Sequence, residues 1–150
     1  MDATDRQIIE LLRKNGRLSY AELARQVGLS APSVHERVGK LEAAGVIQGY
    51  RADVTPETLG LGITALIGIQ QQPDSELDDV ELALREIPQV ESCYFLAGEE
   101  SYLLKVRVAT MGELEQLIGR INRIRGVART RTTVALSTKW ENRPQPMREE

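Results

Sequence analysis

Residues 19–41 read SYAELARQVGLSAPSVHERVGKL, a pattern that predicts two short helices joined by a tight turn. Ser19 is placed to cap the first helix, with Glu22 at the capping-box position three residues later. Gly28 forms the turn, and Ser30 is placed to cap the second helix. Small or apolar residues stand where two crossing helices touch. They are Ala24, Gly28, Val34, Val38 and Leu41.

This spacing is typical of a helix-turn-helix, whose second helix enters the major groove of DNA while the first braces it. The free face of the second helix, predicted at 31–44, carries groups that suit phosphates or base edges. Its first turn favours a phosphate, and two arginines flank the groove. The predicted DNA-binding residues are Arg17, Arg25, Ser30, Ser33, His35, Arg37 and Lys40. The alternative is a three-helix bundle whose charged side chains, and His35, are only solvated.

The chain around this unit extends it in both directions. A first helix is predicted from Thr4, as its N-cap, to Lys14. After the second helix of the pair, Val46–Val54 is predicted to be a strand. We therefore expect a DNA-binding domain at 1–54, followed by a linker at 55–61.

The rest of the chain alternates strands and helices. Strands are predicted at 62–69, 90–96, 102–108 and 127–138, and helices at about 76–86 and from Thr110 to Gly126. The order βαββαβ is that of the ferredoxin-like split βαβ unit, so we expect an α+β domain at 62–138 and a loosely held tail at 139–150. The first strand is apolar on both faces, which predicts assembly through the sheet. Arg129 and Arg131 share one face of the last strand, either exposed or in ion pairs across an interface.

Composition limits the possible functions. The net charge of −3 lies entirely in residues 61–150, because residues 1–60 carry eight basic and eight acidic side chains. With Cys93 as the only cysteine and His35 as the only histidine, the chain cannot form an internal disulfide or a His/Cys metal cluster, and we expect no metal and no cofactor. No apolar run is long enough to cross a bilayer and no signal peptide opens the chain, so we expect a cytoplasmic, nucleoid-associated protein.

The whole arrangement resembles the Lrp/AsnC ("feast/famine") family of transcription regulators. The resemblance extends over about residues 4–138. It rests on Glu22-Leu23-Ala24, Val27-Gly28-Leu29-Ser30, Arg37-Val38, Gly45-Val46-Ile47-Gln48-Gly49-Tyr50 and Ala97-Gly98-Glu99-Glu100-Ser101-Tyr102-Leu103-Leu104.

The resemblance implies a winged helix-turn-helix joined to a ferredoxin-like, RAM/ACT-like βαββαβ domain. It also implies a homodimer built through the sheets, often four dimers in an octamer, and an amino acid bound between dimers near the loop at 97–102. The implied effector-binding residues are Gly98, Glu99, Glu100, Ser101 and Tyr102. The family loop is Gly-Asp-x-Asp-Tyr/Phe, so Glu99 stands for the first aspartate. Ser101 stands for the second, and a serine supplies no carboxylate.

Three functions compete. The first is a sequence-specific, effector-responsive regulator that binds double-stranded DNA. The second is an architectural DNA-binding protein that needs no effector. The third is an enzyme such as a tetrapyrrole decarboxylase, which shares the two-part architecture. The sequence contains no nucleophile–base pair and no catalytic residues are predicted, so we expect no enzymatic activity.

Overall fold

The computed structural model describes residues 1–75 and 77–148. Two compact units are formed. The head contains Met1–Asp53 together with the segment that begins at Trp140, and the second unit spans Val54–Lys139. In the described part of the chain, no helix has the length and apolar character needed to cross a bilayer.

The head has three helices: α1 at Ala3–Lys14, α2 at Tyr20–Val27 and α3 at Ala31–Ala43. The predicted capping box of α2 is confirmed, since the Glu22 N–H donates to Ser19 Oγ and the Ser19 N–H donates to the Glu22 carboxylate. Gly28 ends α2 with φ of +71°, a left-handed conformation that costs other residues energy. The core comprises Ile8, Leu23, Ala24, Val34 and Val38.

Two local predictions in the head are wrong. Asp2, not Thr4, caps α1, because Asp2 and Asp5 form a reciprocal capping box. The segment Val46–Val54 is irregular instead of a strand. Val46 and Tyr50 stay exposed there, and Gly49 has φ of +150°, so the described chain does not keep the extended, paired geometry of a ladder.

The segment from Trp140 lies against the first helix. Arg6 Nη1 donates to the Arg148 carbonyl at 3.1 Å, and Arg13 Nη2 donates to the Gln145 carbonyl. The expected loose tail is therefore held, over its described residues, by hydrogen bonds to α1; residues 149 and 150 lie outside the described part. A short 3₁₀ turn at Pro56–Leu59 occupies the predicted linker.

The second unit confirms the predicted βαββαβ order. Its elements are β1 (Ile63–Gln71), α4 (Leu77–Arg85), β2 (Val90–Phe95), β3 (Tyr102–Val108), α5 (Met111–Asn122) and β4 (Val127–Val134). The four strands form one sheet in the order β2-β3-β1-β4, with every neighbouring pair antiparallel. β4 ends at Val134, four residues before the predicted end, and the predicted start of α4 at Glu76 lies outside the described residues.

One face of the sheet packs on α4 and α5. Alternate residues of β3, namely Tyr102, Leu104, Val106 and Val108, point to this buried face, as do Ala65, Ile67 and Ile69 of β1. The other face of the sheet carries no helix from the described part of its own unit. We call it the open face; Leu66 lies there with 41% of its surface exposed.

Candidate DNA-binding helix and effector pocket

The third helix presents one buried and one free face. Val34, Val38 and Leu41 are buried at helical spacing and fix the helix on the head core. The side opposite these residues is exposed. It is formed by Pro32, Glu36, Gly39, Lys40 and Ala43, a set that we call the outward face of α3.

The N-terminus of α3 is capped by Ser30, whose Oγ accepts from the Ser33 N–H at 3.3 Å. Ser30 is exposed and Ser33 is half-buried. Backbone N–H groups of a first helical turn attract anions, and no acidic side chain stands in the first turn of α3 to oppose one. This end of the helix is therefore electrostatically suited to a phosphate.

Arg37 lies on the side of α3 that faces α1. Its Nη1 contacts Asp2 Oδ2 at 2.6 Å and Asp5 Oδ1 at 2.7 Å. The hydrogen bond from the Asp5 N–H and the bond from the Arg37 guanidinium lower the pKa of Asp2, and the two carboxylates raise the pKa of Arg37. Arg37 thus joins α3 to the start of α1, a contact that no local pattern predicts because its partners are 32 and 35 residues away.

The remaining predicted DNA contacts lie on either side of the helix pair. The His35 ring packs on Tyr20 of α2, with 4.8 Å between the ring centroids. Lys40 is exposed on the outward face, where its Nζ contacts Glu36 Oε1 at 2.6 Å. This hydrogen bond lowers the pKa of Glu36. Arg17, in the α1–α2 loop, and Arg25, in the last turn of α2, are both exposed.

A cavity of about 270 Å³ lies on the open face of the sheet, beside the loop that joins β2 to β3. Its walls combine acidic and basic side chains. The lining residues are Gly68, Gln70, Glu99, Glu100, Arg129, Thr130 and Arg131. The register of β1 and β4 explains this set, because Gly68 pairs with Arg131 and Gln70 with Arg129.

Ion pairs inside the chain hold the acidic side chains in this cavity. Glu100 Oε1 lies 2.8 Å from Arg131 Nε, and the Glu100 side chain is only 19% exposed. Its carboxylate covers the Cα of Gly68 so closely that a Cβ at that position would overlap it. Glu99 contacts Arg129 at 3.4 Å, and both of these side chains are largely exposed. Arg129 and Arg131 therefore form ion pairs within one chain. The sequence alone predicts that they are either exposed or paired across an interface.

The other residues of the predicted effector set lie elsewhere. The Ser101 backbone joins the loop to the sheet, since its N–H donates to the Ile69 carbonyl and its carbonyl accepts from the Leu96 N–H, both at 2.8 Å. Gly98 is exposed at the loop and does not line the cavity.

Tyr102 is placed on the opposite side of the sheet from the cavity. It is 3% exposed and packs on Phe95, with 5.4 Å between the ring centroids. The pleat of β3 separates it from the cavity, so Tyr102 does not line this cavity, and its binding of an effector stays a prediction.

The open face changes character away from the cavity. Its middle carries Leu66 with Tyr94, which is 56% exposed. At the far end, Lys105 contacts Glu91 at 2.9 Å and Arg107 forms a second ion pair with the same carboxylate. Burial raises the pKa of Glu91, but the hydrogen bonds from the two basic side chains outweigh it and lower the pKa. The face is therefore apolar in the centre and charged at both ends.

Comparison with known proteins follows the same division into two units. Residues 1–48 match the winged helix-turn-helix DNA-binding family, and residues 64–145 match the Lrp/AsnC ligand-binding domain. These matches define a DNA-binding transcription regulator. The chain belongs to the Lrp/AsnC family.

Relatives cover nearly the whole chain. It is 43% identical to the HTH-type transcriptional regulator LrpA of Mycobacterium tuberculosis, with 95% of each chain covered. It is 40% identical to the proline dehydrogenase transcriptional activator of Rhodobacter capsulatus, with 94% of each covered. Among solved structures, the feast or famine regulatory protein of M. tuberculosis complexed with L-methionine is similar with a TM-score of 0.90 and 43% identity, covering 96% of this chain and 97% of that one.

A more distant structure gives the same fold. A transcriptional regulator of Neisseria meningitidis in complex with L-methionine has a TM-score of 0.89 and 30% identity, with 97% of this chain and 96% of that one covered.

Proposed function

We propose that this regulator binds specific DNA sites through the exposed surface of α3 and that an amino acid bound in the open-face cavity alters this binding. The observation that carries the proposal is the outward face of α3, which is exposed although the rest of the helix is fixed on the core. The capped, non-acidic first turn of α3 suits a phosphate, and Arg17 and Arg25 add exposed positive charge at the side. Ser30, Ser33 and Lys40 remain the proposed contacts on α3, with Arg37 positioning the helix.

The cavity supports an amino acid as effector. A free amino acid carries one ammonium and one carboxylate group, and the cavity offers carboxylates at Glu99 and Glu100 beside guanidiniums at Arg129 and Arg131. Two relatives of known structure are complexes with L-methionine. We infer that a ligand ammonium group takes the place of one guanidinium beside Glu100, and that the released arginine binds the ligand carboxylate.

The open face supports assembly. Leu66 and Tyr94 expose apolar surface on a sheet face that the helices of its own unit, as far as they are described, do not cover. Pairing two such faces about a two-fold axis would bury both and would give each dimer two α3 helices, one for each half-site of DNA. We propose a homodimer of this kind, and an octamer of four dimers as the larger assembly.

One observation favours an effector-independent, architectural function as the second candidate. The cavity charges already pair with each other in the single chain, as Glu99–Arg129 and Glu100–Arg131, so its carboxylates have basic partners without a ligand. The relatives are transcription regulators, and we propose no enzymatic activity for this chain. Because its target is chromosomal DNA, we place its action in the cytoplasm, at the nucleoid.

The test is DNA binding by fluorescence anisotropy, with the DNA upstream of the protein's own coding sequence and a scrambled duplex of equal length and composition as control. Binding is measured over a salt series with and without each amino acid, L-methionine first. We expect tighter binding to the upstream DNA, weakened by salt and altered by at least one amino acid. Sequence-specific binding that no amino acid changes would favour the architectural function, and equal binding to both duplexes would contradict specific recognition.

A further inference from the structure

The outward face of α3 holds only one charged pair. Pro32, Gly39 and Ala43 have no hydrogen-bonding group in their side chains, whereas Glu36 and Lys40 do, and these two are 69% and 74% exposed. Their charged ends lie 2.6 Å apart. A major groove facing this side of the helix would meet one acceptor and one donor, side by side.

The neighbouring polar side chains of α3 are committed to the head. Arg37 is held by Asp2 and Asp5, and the His35 ring packs on Tyr20. Ser30 Oγ caps the helix. On the outward face itself, Glu36 and Lys40 are the side chains that can hydrogen-bond to base edges, whereas Ser30 and Ser33, proposed above as DNA contacts, lie at the start of the helix.

A glutamate at this position is costly for DNA binding of any sequence, since phosphates repel it. A hydrogen bond from a donor on a base edge to the carboxylate would offset this repulsion. We propose that the Glu36–Lys40 pair recognises a single G·C base pair in the major groove, with Glu36 accepting from the cytosine N4 amino group and Lys40 donating to guanine O6 or N7. This inference rests on the proposed DNA-binding function of α3 and names the base pair that the helix selects.

The geometry of the base pair fits the ion pair. Cytosine N4 and guanine O6 are bonded to each other across the base pair, so their separation is that of a hydrogen bond, about 3 Å. The carboxylate oxygen and the ammonium nitrogen of Glu36 and Lys40 have a similar separation, 2.6 Å. An A·T pair has a similar spacing between adenine N6 and thymine O4, so the distance alone does not exclude it. It fits less well because adenine N6 lies between two acceptors, adenine N7 and thymine O4, whereas cytosine N4 has one acceptor beside it, guanine O6, and each acceptor repels the carboxylate.

The small residues around the pair allow the helix to come close to the base edges. Gly39 lies between Glu36 and Lys40 in sequence and on the same exposed face. Apart from Gly39, its two chain neighbours and the nearby backbone of its own helix, no described atom lies within 4 Å of the position that a Gly39 Cβ would occupy. A glycine inside a helix is unfavourable compared with alanine, and here it leaves the helix backbone accessible beside the two charged side chains.

The experiment is selection of binding sites from a randomised duplex pool by the full-length protein, followed by competition with single-base variants of the selected site. Four proteins are compared: wild type, Glu36→Gln, Lys40→Ala and the matched control Glu10→Gln. Glu10 also lies in an ion pair on an exposed helix, 3.5 Å from Lys14 four residues later, but on α1. Thermal unfolding checks that each variant is folded.

We expect the wild type to select G·C at one position of each half-site, with about 5- to 150-fold weaker binding after replacement by A·T. A glutamine amide pairs with adenine N6 and N7, so Glu36→Gln shifts the preference at that position to A·T. Lys40→Ala lowers the G·C preference, and Glu10→Gln leaves it unchanged.

Identical preferences at every position for the wild type and Glu36→Gln would overturn the proposal, and so would a shift of equal size in Glu10→Gln. A folded wild type that selected no sequence at all would overturn the DNA-recognition function itself. These two failures are distinguishable, because the second appears before any variant is compared.

Discussion

Replacing Gly68 by alanine tests the effector cavity at its floor. Gly68 lies in the middle of β1, directly beneath the Glu100 carboxylate, and its φ lies outside the left-handed region, so the backbone accepts an alanine. The new Cβ overlaps the carboxylate and forces Glu100 away from Arg131. We expect the cavity to lose its charged floor while the strand remains.

Gly68→Ala should change the folding stability little and the amino-acid affinity strongly. Arg131 is 77% exposed, so its ion pair with Glu100 contributes about 0–1 kcal/mol to folding, and the melting temperature falls by at most about 4–8 °C. A hydrogen bond between the charged ligand and Glu100 contributes about 1.5–3 kcal/mol to binding. Its loss lowers the amino-acid affinity by roughly 10- to 150-fold.

The assay is isothermal titration calorimetry with L-methionine and then with the other amino acids, on wild type, Gly68→Ala and two further variants. Gly62→Ala is the matched control, because no described atom beyond Gly62 and its two chain neighbours lies within 4 Å of its Cβ position. Glu100→Gln removes the charge without adding volume, and we expect it to weaken binding as Gly68→Ala does. Wild-type affinity in both Gly68→Ala and Glu100→Gln would refute the assignment of the effector to this cavity.

Three further perturbations test other parts of the structure. Arg37→Met removes the link between α3 and the start of α1, so we expect a lower melting temperature and weaker DNA binding. In the wild type the lowered pKa of Asp2 stabilises the fold above pH 3.8, and this contribution is lost as the pH falls further. In Arg37→Met, we therefore expect the free energy of unfolding to fall less between neutral and acidic pH than it does in the wild type. Burial and a glutamate partner raise the pKa of Tyr50 from 10.0 to about 12, so the stability that Tyr50 contributes is present below pH 10 and is lost as the pH rises towards 12. In Tyr50→Phe, we expect the free energy of unfolding to lose this fall between pH 10 and pH 12. The same fall in the wild type and the variant would contradict the role of Tyr50. On the open face, Leu66→Asp should dissociate the proposed dimer, as measured by sedimentation velocity. The control Leu82→Asp, at an exposed leucine of α4, should leave the dimer intact. If Leu66→Asp remains a dimer, the interface lies elsewhere.

Several features of the head could be predicted because they depend on neighbours in sequence. The capping box of Ser19 and Glu22 spans three residues, and Gly28 ends α2 through its own backbone freedom. The strand predicted at Val46–Val54 failed for the opposite reason. A strand depends on a partner that supplies its hydrogen bonds, and local pattern does not show whether that partner exists.

The alternation of side chains along β3 was already visible in the sequence, but the effector residues were assigned from the family loop motif instead. Tyr102 alternates with Leu104, Val106 and Val108, which predicts a common buried face. The loop motif grouped it instead with Glu100, although the pleat places them on opposite sides of the sheet. Strand alternation was therefore the better guide to side-chain direction.

Apart from the strand wrongly predicted at Val46–Val54, the sequence by itself determined the order of the helices and strands, including the helix-turn-helix and the βαββαβ unit, because periodicity, caps and turns act over a few residues. Only the tertiary structure decided which charged groups meet. Arg37 is drawn to Asp2 and Asp5 from 35 and 32 residues away, and Glu100 meets Arg131 over Gly68 through the register of two strands. Such contacts depend on the packing of distant segments, which no local pattern encodes. They hold the charged groups of Arg37, Glu100 and Arg131 in ion pairs within the chain.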